Sequence, residues 1–180
     1  METLHEIPPR IGHYLAGFAD GEGSFNVSLR KRNDHTLGWQ VVVRFSVSQR
    51  DKAVLTLFKK HLGCGELYER KDGVWYYTVL NTRAITERVV PFFERFSFLS
   101  ASKMTNFTVF KKIVDKVVSN NDLTQDNLRE VVELREKLNE GRGRKRKYTI
   151  SDYQKSLTEN PQRLHARIRP RKKRQWVDKI

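Results

Sequence analysis

Residues 15–23 read Leu-Ala-Gly-Phe-Ala-Asp-Gly-Glu-Gly, which predicts a helix that ends in two acids set between glycines. An acid at the C-terminal end of a helix is disfavoured by about 0.3–1 kcal/mol, because that end carries partial negative charge. Gly12 and Gly17 add to the cost, since glycine inside a helix is about 1 kcal/mol less favourable than alanine. A segment that breaks two local rules is where a functional site is expected. A divalent cation would make Asp20 and Glu22 favourable, because it needs oxygen ligands close together.

The small residues of this helix share one side. Gly12 and Ala16 are four residues apart, so they lie on the same face, and Gly17 lies beside them. Small side chains at these positions predict that another backbone comes close there.

The nonapeptide resembles the signature of the LAGLIDADG homing endonucleases, with all nine positions matching in order. The resemblance implies that the motif helices of two domains or two subunits pack together, with their last acids holding metal ions at a DNA minor groove. It implies that Glu22 is the catalytic, metal-binding acid and that the Gly21 carbonyl is a second ligand, while Asp20 has a supporting role. The expected metal is Mg²⁺ or Mn²⁺, and Ca²⁺ could bind without supporting cleavage. The alternative is a core helix that ends in this sequence by chance.

The chain carries one copy of the motif. Cleavage of both DNA strands then requires two chains related by a two-fold axis. We therefore predict a homodimer whose interface contains Gly12, Ala16 and Gly17, with the two Glu22 carboxylates near the axis. Because protein symmetry is mirrored in the DNA site, the target should be long and roughly palindromic.

The spacing of apolar residues predicts an α+β fold with the order α-β-β-α-β-β-α, followed by further helices. Two stretches alternate with period two, which is typical of half-buried strands, and a second pair flanks the turn signal Asp72-Gly73. The predicted strands cover residues 24–32, 39–49, 66–70 and 74–80, and the predicted helices cover residues 52–62, 82–96 with an interruption near Pro91, 102–118 and 124–139. This is the order of the LAGLIDADG fold, a four-stranded antiparallel sheet with helices on one side, which the resemblance implies for about residues 10–120.

One face of the predicted sheet is polar and basic, while the other is apolar. Arg, Asn, Gln, Ser and Thr side chains can read base edges in the major groove. Together with the resemblance, this composition predicts that the polar face binds double-stranded DNA; without the resemblance, a solvated sheet face would be the simpler interpretation. The predicted DNA-binding residues are Asn26, Ser28, Arg30, Arg32, Gln40, Arg44, Ser46, Tyr68, Arg70, Tyr76 and Thr78.

Two more positions match the accessory catalytic pattern of the family. Gln49 ends the second predicted strand, where the resemblance implies a polar residue that orders water beside the metals; the alternative is an ordinary polar strand end. Lys103 lies in a segment similar to the family's basic segment before its last core helix, which implies a lysine that stabilises charge near the active site. Because only one lysine is present there, after Ala101 and Ser102, Lys103 could instead contact a phosphate or lie on the surface at a helix start.

The positive charge of the chain is concentrated at its C-terminal end. Of the formal net charge of +14, residues 141–180 carry +11, from 14 Lys or Arg against 3 Asp or Glu. We therefore divide the chain into an endonuclease core (1–120), a C-terminal helix (121–140) and a basic extension (141–180). Nucleic acid is the natural partner of such an extension, because neutralised phosphates release counterions. A short helix near residues 150–157 could position the extension on DNA, and a solvated disordered arm is the alternative.

The sequence gives no support for a membrane or secreted protein. No apolar run approaches the ~18–20 residues of a membrane span, and the N-terminal residues do not form a signal peptide pattern. The single cysteine, Cys64, precludes an intrachain disulfide and suits a reducing intracellular compartment, either a bacterial or archaeal cytoplasm or an organelle.

The resulting functional prediction is a homodimeric, site-specific double-strand DNA endonuclease that hydrolyses phosphodiester bonds with a divalent metal. The first alternative is an intron maturase that binds RNA on the same fold, which the basic extension would also suit. The second alternative is a DNA-binding regulator without cleavage activity, and the presence of Glu22 argues against it.

Overall fold

The computed structural model of the protein describes residues 6–35, 37–119, 124–139 and 146–159. The strands are β1 (Gly23–Lys31), β2 (Trp39–Gln49), β3 (Glu66–Glu69) and β4 (Trp75–Val79). The helices are α1 (Pro9–Glu22), α2 (Lys52–Leu62), α3 (Thr82–Ala84), α4 (Val90–Arg95), α5 (Ala101–Ser119), α6 (Gln125–Lys137) and α7 (Ile150–Glu159). The predicted α+β order is confirmed.

The four strands form one antiparallel sheet in the order β1-β2-β4-β3. The register pairs Phe25 with Phe45 and Phe45 with Val79, so apolar side chains from three strands form one row across the sheet. Because side chains alternate along a strand, this register directs the polar positions of β1, β2 and β4 to the opposite face. The predicted division into an apolar and a polar face is therefore present.

The helices cover the apolar face, and aromatic rings form the centre of the core. The Phe25 ring lies 5.3 Å from that of Phe45 and 4.9 Å from that of Phe110 in α5. Leu15 and Ala19 bring α1 into the same buried cluster. The C-terminal part of α1 is thus held by a core to which all four strands and α5 contribute.

The helical segment after β4 is irregular, as predicted. Asn81 begins α3, where its Oδ1 accepts a hydrogen bond of 3.1 Å from the Ala84 N–H. Residues Ile85–Val89 then form a π-helical turn before α4. Pro91 follows at once; it has no N–H to donate to the preceding turn, which explains why the regular hydrogen-bond ladder is interrupted here.

The C-terminal helix α6 belongs to the same core as the predicted endonuclease domain. Its Val131, together with Leu138 just after it, is part of the buried cluster that contains Leu15 and Phe25. A boundary near residue 120 therefore separates two sequence regions but not two hydrophobic cores. Among the described helices, none is both long and apolar enough to cross a bilayer.

The edge of β1 is covered by polar side chains from α6 and from Asn139, two residues past its end. The Nε of Arg135 donates a hydrogen bond of 3.0 Å to the Val27 carbonyl, and Nδ2 of Asn139 donates one of 2.9 Å to the Phe25 carbonyl. Asn139 also donates its backbone N–H to Oδ1 of Asn106 in α5, at 2.8 Å. The unpaired backbone groups of an open strand edge can pair with a strand of another chain. These side chains occupy two carbonyls of the β1 edge.

Candidate active site

Helix α1 leads into strand β1 without a connecting loop. The N–H of Gly23 donates to the Ala19 carbonyl and ends the helix, while the φ and ψ of Gly23, −74° and 146°, already belong to the strand. A Cβ at this position would lie 2.5 Å from the Ala19 oxygen, so only glycine fits this direct transition. Glu22 is therefore held at a rigid junction between the motif helix and the sheet.

Asp20 is fully engaged within its own chain. Its Oδ2 accepts hydrogen bonds from the backbone N–H of Ser100, at 2.9 Å, and of Leu99, at 3.2 Å, and its Oδ1 accepts one from the Ser100 hydroxyl. Burial alone would raise the pKa of Asp20, but the hydrogen bonds from Ser100 and Leu99 outweigh it and hold that pKa below its ordinary value. Asp20 thus anchors the segment that precedes α5.

Sequence reasoning did not identify Ser100 and Leu99 as part of the site. A serine just before a helix is a common signal for a helix start, and it would have marked Ser100 as a capping residue. Its contact with Asp20 joins positions 80 residues apart. No local pattern predicts such a pair.

Glu22 differs from Asp20 in being exposed, and no hydrogen bond or ion pair engages its carboxylate among the described residues. Lys103 lies close enough for the Glu22 charge to affect it, and its Nζ donates a hydrogen bond of 2.5 Å to the Gly23 carbonyl. Burial lowers the pKa of Lys103, and the charges of Asp20 and Glu22 oppose that effect. The structure thus brings a free carboxylate and an amine together at the end of α1.

Gln49 lies at the same end of the sheet. The register pairs Gly23 with Val47, so Gln49 continues β2 two residues past the start of β1 and points to the same face as the buried Val47. Its Oε1 accepts a hydrogen bond of 2.8 Å from the Arg50 N–H, which orients the side-chain amide. Its place is compatible with the predicted role beside the carboxylates.

The predicted interface residues divide between two faces of α1, and this corrects the predicted interface. Ala16 is 1% exposed. A Cβ at Gly12 would lie 2.3 Å from Cζ of Phe96. Gly12 and Ala16 therefore pack inside their own chain. At Gly17 and Gly21, by contrast, an added Cβ would meet no atom of the described residues within 4 Å, apart from the adjacent turns of α1 itself. The open small-residue pair is therefore Gly17 and Gly21, which are four residues apart on one face. Gly12 and Ala16 lie on the inward face of α1, which packs against the apolar core of the same subunit.

The polar sheet face contains the predicted residues in register. Asn26 is paired with Arg44 and Arg30 with Gln40 between β1 and β2, and Ser46 is paired with Thr78 between β2 and β4. Tyr68 and Tyr76 are paired between β3 and β4, and their rings are stacked, with centroids 5.5 Å apart. Beside them, Nη1 of Arg70 donates a hydrogen bond of 3.1 Å to the Tyr76 hydroxyl. Ser28 faces the same side of β1.

Three residues of this predicted set have surroundings that the sequence did not indicate. Arg32 lies just past β1, and its guanidinium forms a bidentate pair with Asp34, at 2.8 and 2.6 Å, within the hairpin turn. Thr78 is only 6% exposed, and its Oγ1, like Nε of Arg44, is buried without a hydrogen-bond partner among the described residues. Both residues belong to the polar face, and buried polar atoms in proteins are usually paired with protein groups or ordered water.

Comparison with known proteins agrees with this geometry. The family model for LAGLIDADG endonuclease matches residues 15–114, which include the motif, the sheet and most of α5. The chain therefore belongs to the LAGLIDADG endonuclease family. It is 28% identical over 141 residues to "Probable intron-encoded endonuclease 2" of Neurospora crassa, a match that covers 71% of this chain and 29% of that protein. It thus spans less than a third of that relative's length.

Solved structures show the same fold. The archaeal intron-encoded homing endonuclease I-Vdi141I, complexed with DNA, superimposes with a TM-score of 0.75 at 26% identity; the match covers 82% of this chain and 94% of that one. Meganuclease I-SmaMI bound to uncleavable DNA superimposes with a TM-score of 0.68 at 30% identity, covering 73% of this chain and 46% of that one. The α+β LAGLIDADG fold predicted from the sequence is confirmed.

Proposed function

We propose that this protein is a site-specific, homodimeric double-strand DNA endonuclease of the homing type, which hydrolyses phosphodiester bonds with a divalent metal. The observation that carries the proposal is the contrast between the two acids at the end of α1. Asp20 accepts hydrogen bonds from Ser100 and Leu99, whereas the exposed Glu22 carboxylate has no partner among the described residues and lies near the Lys103 amine. Family membership and the polar sheet face support DNA as the substrate.

The donor set at this junction suits Mg²⁺ or Mn²⁺. No group of three or more His, Cys, Asp or Glu side chains that could hold a metal occurs within the described residues. Mg²⁺ commonly binds through one or two carboxylates and completes its shell with water and phosphate oxygens. Glu22 and the Gly21 carbonyl would hold the ion together with DNA oxygens. When bound, it would stabilise charge on the phosphate and activate water.

The chain's own residues account for the rest of the chemistry. Lys103 supplies positive charge close to Glu22, and its hydrogen bond to the Gly23 carbonyl keeps the amine at the junction. This charge would stabilise the phosphate as negative charge builds in the transition state. Gln49 supplies an amide at the same end of the sheet, where it would orient water.

Dimerisation would use the outward face of α1. Tyr14 on this face is 51% exposed, and Gly17 and Gly21 leave room for close approach of a second backbone. Because Glu22 ends the same helix, this contact would bring two carboxylates near the two-fold axis. Gly17→Leu should abolish the dimer in sedimentation while leaving the subunit folded, because position 17 is exposed and a Cβ added there meets no atom of a neighbouring described element within 4 Å. A dimer that persists in this variant would contradict the proposed interface.

Cleavage of a randomised library of long duplexes, with and without Mg²⁺, tests the proposed activity. We expect wild-type protein to enrich one cut site only when the metal is present. Glu22→Gln should bind that site and cut it at least about 10³-fold more slowly, because several kcal/mol of charge stabilisation are lost. Glu69→Gln, at an exposed glutamate of β3, is the matched control and should cut normally.

The outcomes also separate the alternative functions. A wild-type protein that binds DNA but never cuts it would be a regulator. One that instead promotes splicing of an intron RNA without cutting DNA would be a maturase. Normal cutting by Glu22→Gln would contradict the proposed role of this residue while leaving the endonuclease assignment in place.

A further inference from the structure

The Ser100 hydroxyl joins the end of α1 to the start of α5. Ser100 donates its hydroxyl proton to Oδ1 of Asp20, since an ionised carboxylate can only accept. The same hydroxyl oxygen accepts a hydrogen bond of 3.4 Å from the backbone N–H of Lys103. This is the geometry of a helix N-cap, in which the side-chain oxygen accepts from an N–H of the first turn. Ser100 therefore connects the Asp20 carboxylate to the first turn of α5.

The side chain of Lys103 returns from α5 to the junction of α1 and β1. Its Nζ donates a hydrogen bond of 2.5 Å to the Gly23 carbonyl. Together with the two bonds of the Ser100 hydroxyl, this bond closes a ring of contacts between the two segments. In the chain, Glu22 lies between the two residues of the junction that take part, Asp20 and Gly23. Lys103 is thus held at both ends, by its backbone and by its amine, around the position of Glu22.

The first turn of α5 is an unfavourable place for a lysine. The N-terminal end of a helix carries partial positive charge, so a cation is disfavoured there. Asp20 brings a negative charge to this end, where its Oδ2 accepts hydrogen bonds from the N–H groups of Leu99 and Ser100. A cation that breaks a local preference, and that an acid distant in sequence compensates, indicates that an amine is required at this place.

The contact with Asp20 does more than cap the helix. A serine can cap a helix without a carboxylate behind it. Because Asp20 takes the hydroxyl proton, however, the lone pairs of the Ser100 oxygen are left to accept from the helix N–H. The ammonium of a lysine is carried on a long, flexible stem, so its position depends on how firmly the backbone below it is fixed. Asp20 and Ser100 supply this fixation for Lys103.

We propose that Ser100 and Asp20 are positioning residues for the reaction, which fix the start of α5 so that the Lys103 amine lies beside the Glu22 carboxylate. This inference rests on the proposed endonuclease function. Both residues act through Lys103, and the groups they use are engaged within their own chain. A misplacement of about 1 Å in an active site can slow a reaction about 10²-fold, so loss of this link should be measurable in the cleavage rate.

The test changes Ser100 rather than Asp20, because a substitution at position 20 would also disturb the neighbouring Glu22. Ser100→Ala removes the link, and Ser100→Thr retains a hydroxyl and serves as the rescue variant. The matched control is Thr108→Val, which removes from the exposed side of the same helix a hydroxyl that donates 2.9 Å to the Met104 carbonyl. Urea unfolding identifies a temperature at which all variants are folded, and every comparison is made there.

Pulsed acetylation of amines, read by mass spectrometry, measures the position of Lys103 without relying on cleavage. In the wild type, Nζ of the half-buried Lys103 should react slowly relative to that of the exposed Lys60 in α2. Ser100→Ala should raise the ratio of Lys103 to Lys60 labelling several-fold, whereas Ser100→Thr and Thr108→Val should retain the wild-type ratio. An unchanged ratio in Ser100→Ala would overturn the proposal.

Single-turnover cleavage with Mg²⁺ measures the consequence, on a duplex whose site is enriched by binding from a randomised library. Ser100→Ala should cut about 10–10²-fold more slowly than the wild type. Its affinity for the site in EDTA should be unchanged, because the Ser100 hydroxyl is engaged within its own chain. Ser100→Thr and Thr108→Val should cut at close to the wild-type rate.

A double-mutant cycle shows whether Ser100 acts through the lysine. In a Lys103→Met background, Ser100→Ala should cause no further loss of cleavage rate, because the group that it positions is already absent. An equal loss in both backgrounds would overturn the proposal. A wild-type protein that cuts no site would contradict the endonuclease assignment, and the labelling ratio would still decide whether Ser100 positions Lys103.

Discussion

The two faces of α1 carry similar residues in opposite surroundings. On the inward face, Gly12 is covered by Phe96 and Asp20 is held by Ser100. On the outward face, a Cβ added at Gly17 would meet no other described element within 4 Å, and Glu22, at the end of the helix, has no hydrogen-bond or ion-pair partner among the described residues. The inward residues stabilise the fold of the subunit. The outward glycine and the acid at the helix end lower the stability of an isolated subunit, and we expect them to act in binding a partner, a metal or DNA.

We expect the largest difference in the free energy of unfolding between variants of the two acids, Asp20 and Glu22. Asp20→Asn removes charge-assisted hydrogen bonds to Leu99 and Ser100 and should lower the free energy of unfolding by about 1–3 kcal/mol. Glu22→Gln should leave the free energy of unfolding within about 0.5 kcal/mol of wild type, because the exposed Glu22 carboxylate has no partner among the described residues. Urea unfolding in EDTA measures both. Equal losses would show that the two acids do not differ in this way.

The stabilisation by Asp20 should depend on pH. Its pKa is depressed in the folded protein by the Ser100 and Leu99 hydrogen bonds, which outweigh burial. The stabilisation is therefore present above the unfolded-state pKa of about 3.9 and is lost as the pH falls through the lower folded-state pKa. The difference between wild type and Asp20→Asn in urea unfolding should shrink below about pH 4. A difference that grows on acidification would contradict this sign.

A methyl group on the inward face should destabilise the subunit. In Gly12→Ala, the new Cβ would lie 2.3 Å from Cζ of the buried Phe96 ring, and relief requires movement in a packed aromatic cluster. Overpacking of this kind costs about 1–3 kcal/mol, which exceeds the gain of about 1 kcal/mol in helix propensity. Thermal unfolding of the variant should show a lower midpoint than wild type.

The same change on the outward face should have the smallest effect and the opposite sign. In Gly17→Ala the new Cβ meets no other element of the described structure within 4 Å, so helix propensity dominates, and the monomer should gain up to about 1 kcal/mol. Thermal unfolding at protein concentrations below those that support a dimer measures this gain. A loss as large as that of Gly12→Ala would mean that the two faces are not distinct.

Most of the fold and the main residues of the site could be predicted from local patterns. The period-two alternation predicted β1 and β2 because one face of each strand is buried, and the motif indicated Glu22 without any tertiary information. Lys103 was indicated by resemblance, although its register was open until the structure brought it to the Gly23 carbonyl. The burial of Thr78 and the pairing of Arg32 with Asp34 depend on packing and turn geometry, which composition does not encode.

The sequence by itself determined the element order, the position of the acids at the end of α1 and the basic character of the C-terminal end, because each depends on neighbouring residues or on simple periodicity. Only the tertiary structure decided which face of α1 is open. Gly12 and Gly17 look alike in sequence, but the Phe96 ring covers Gly12. It also decided that Asp20 binds Ser100 and that Arg135 of α6 binds the Val27 carbonyl of β1, since these contacts connect residues 80 and 108 positions apart.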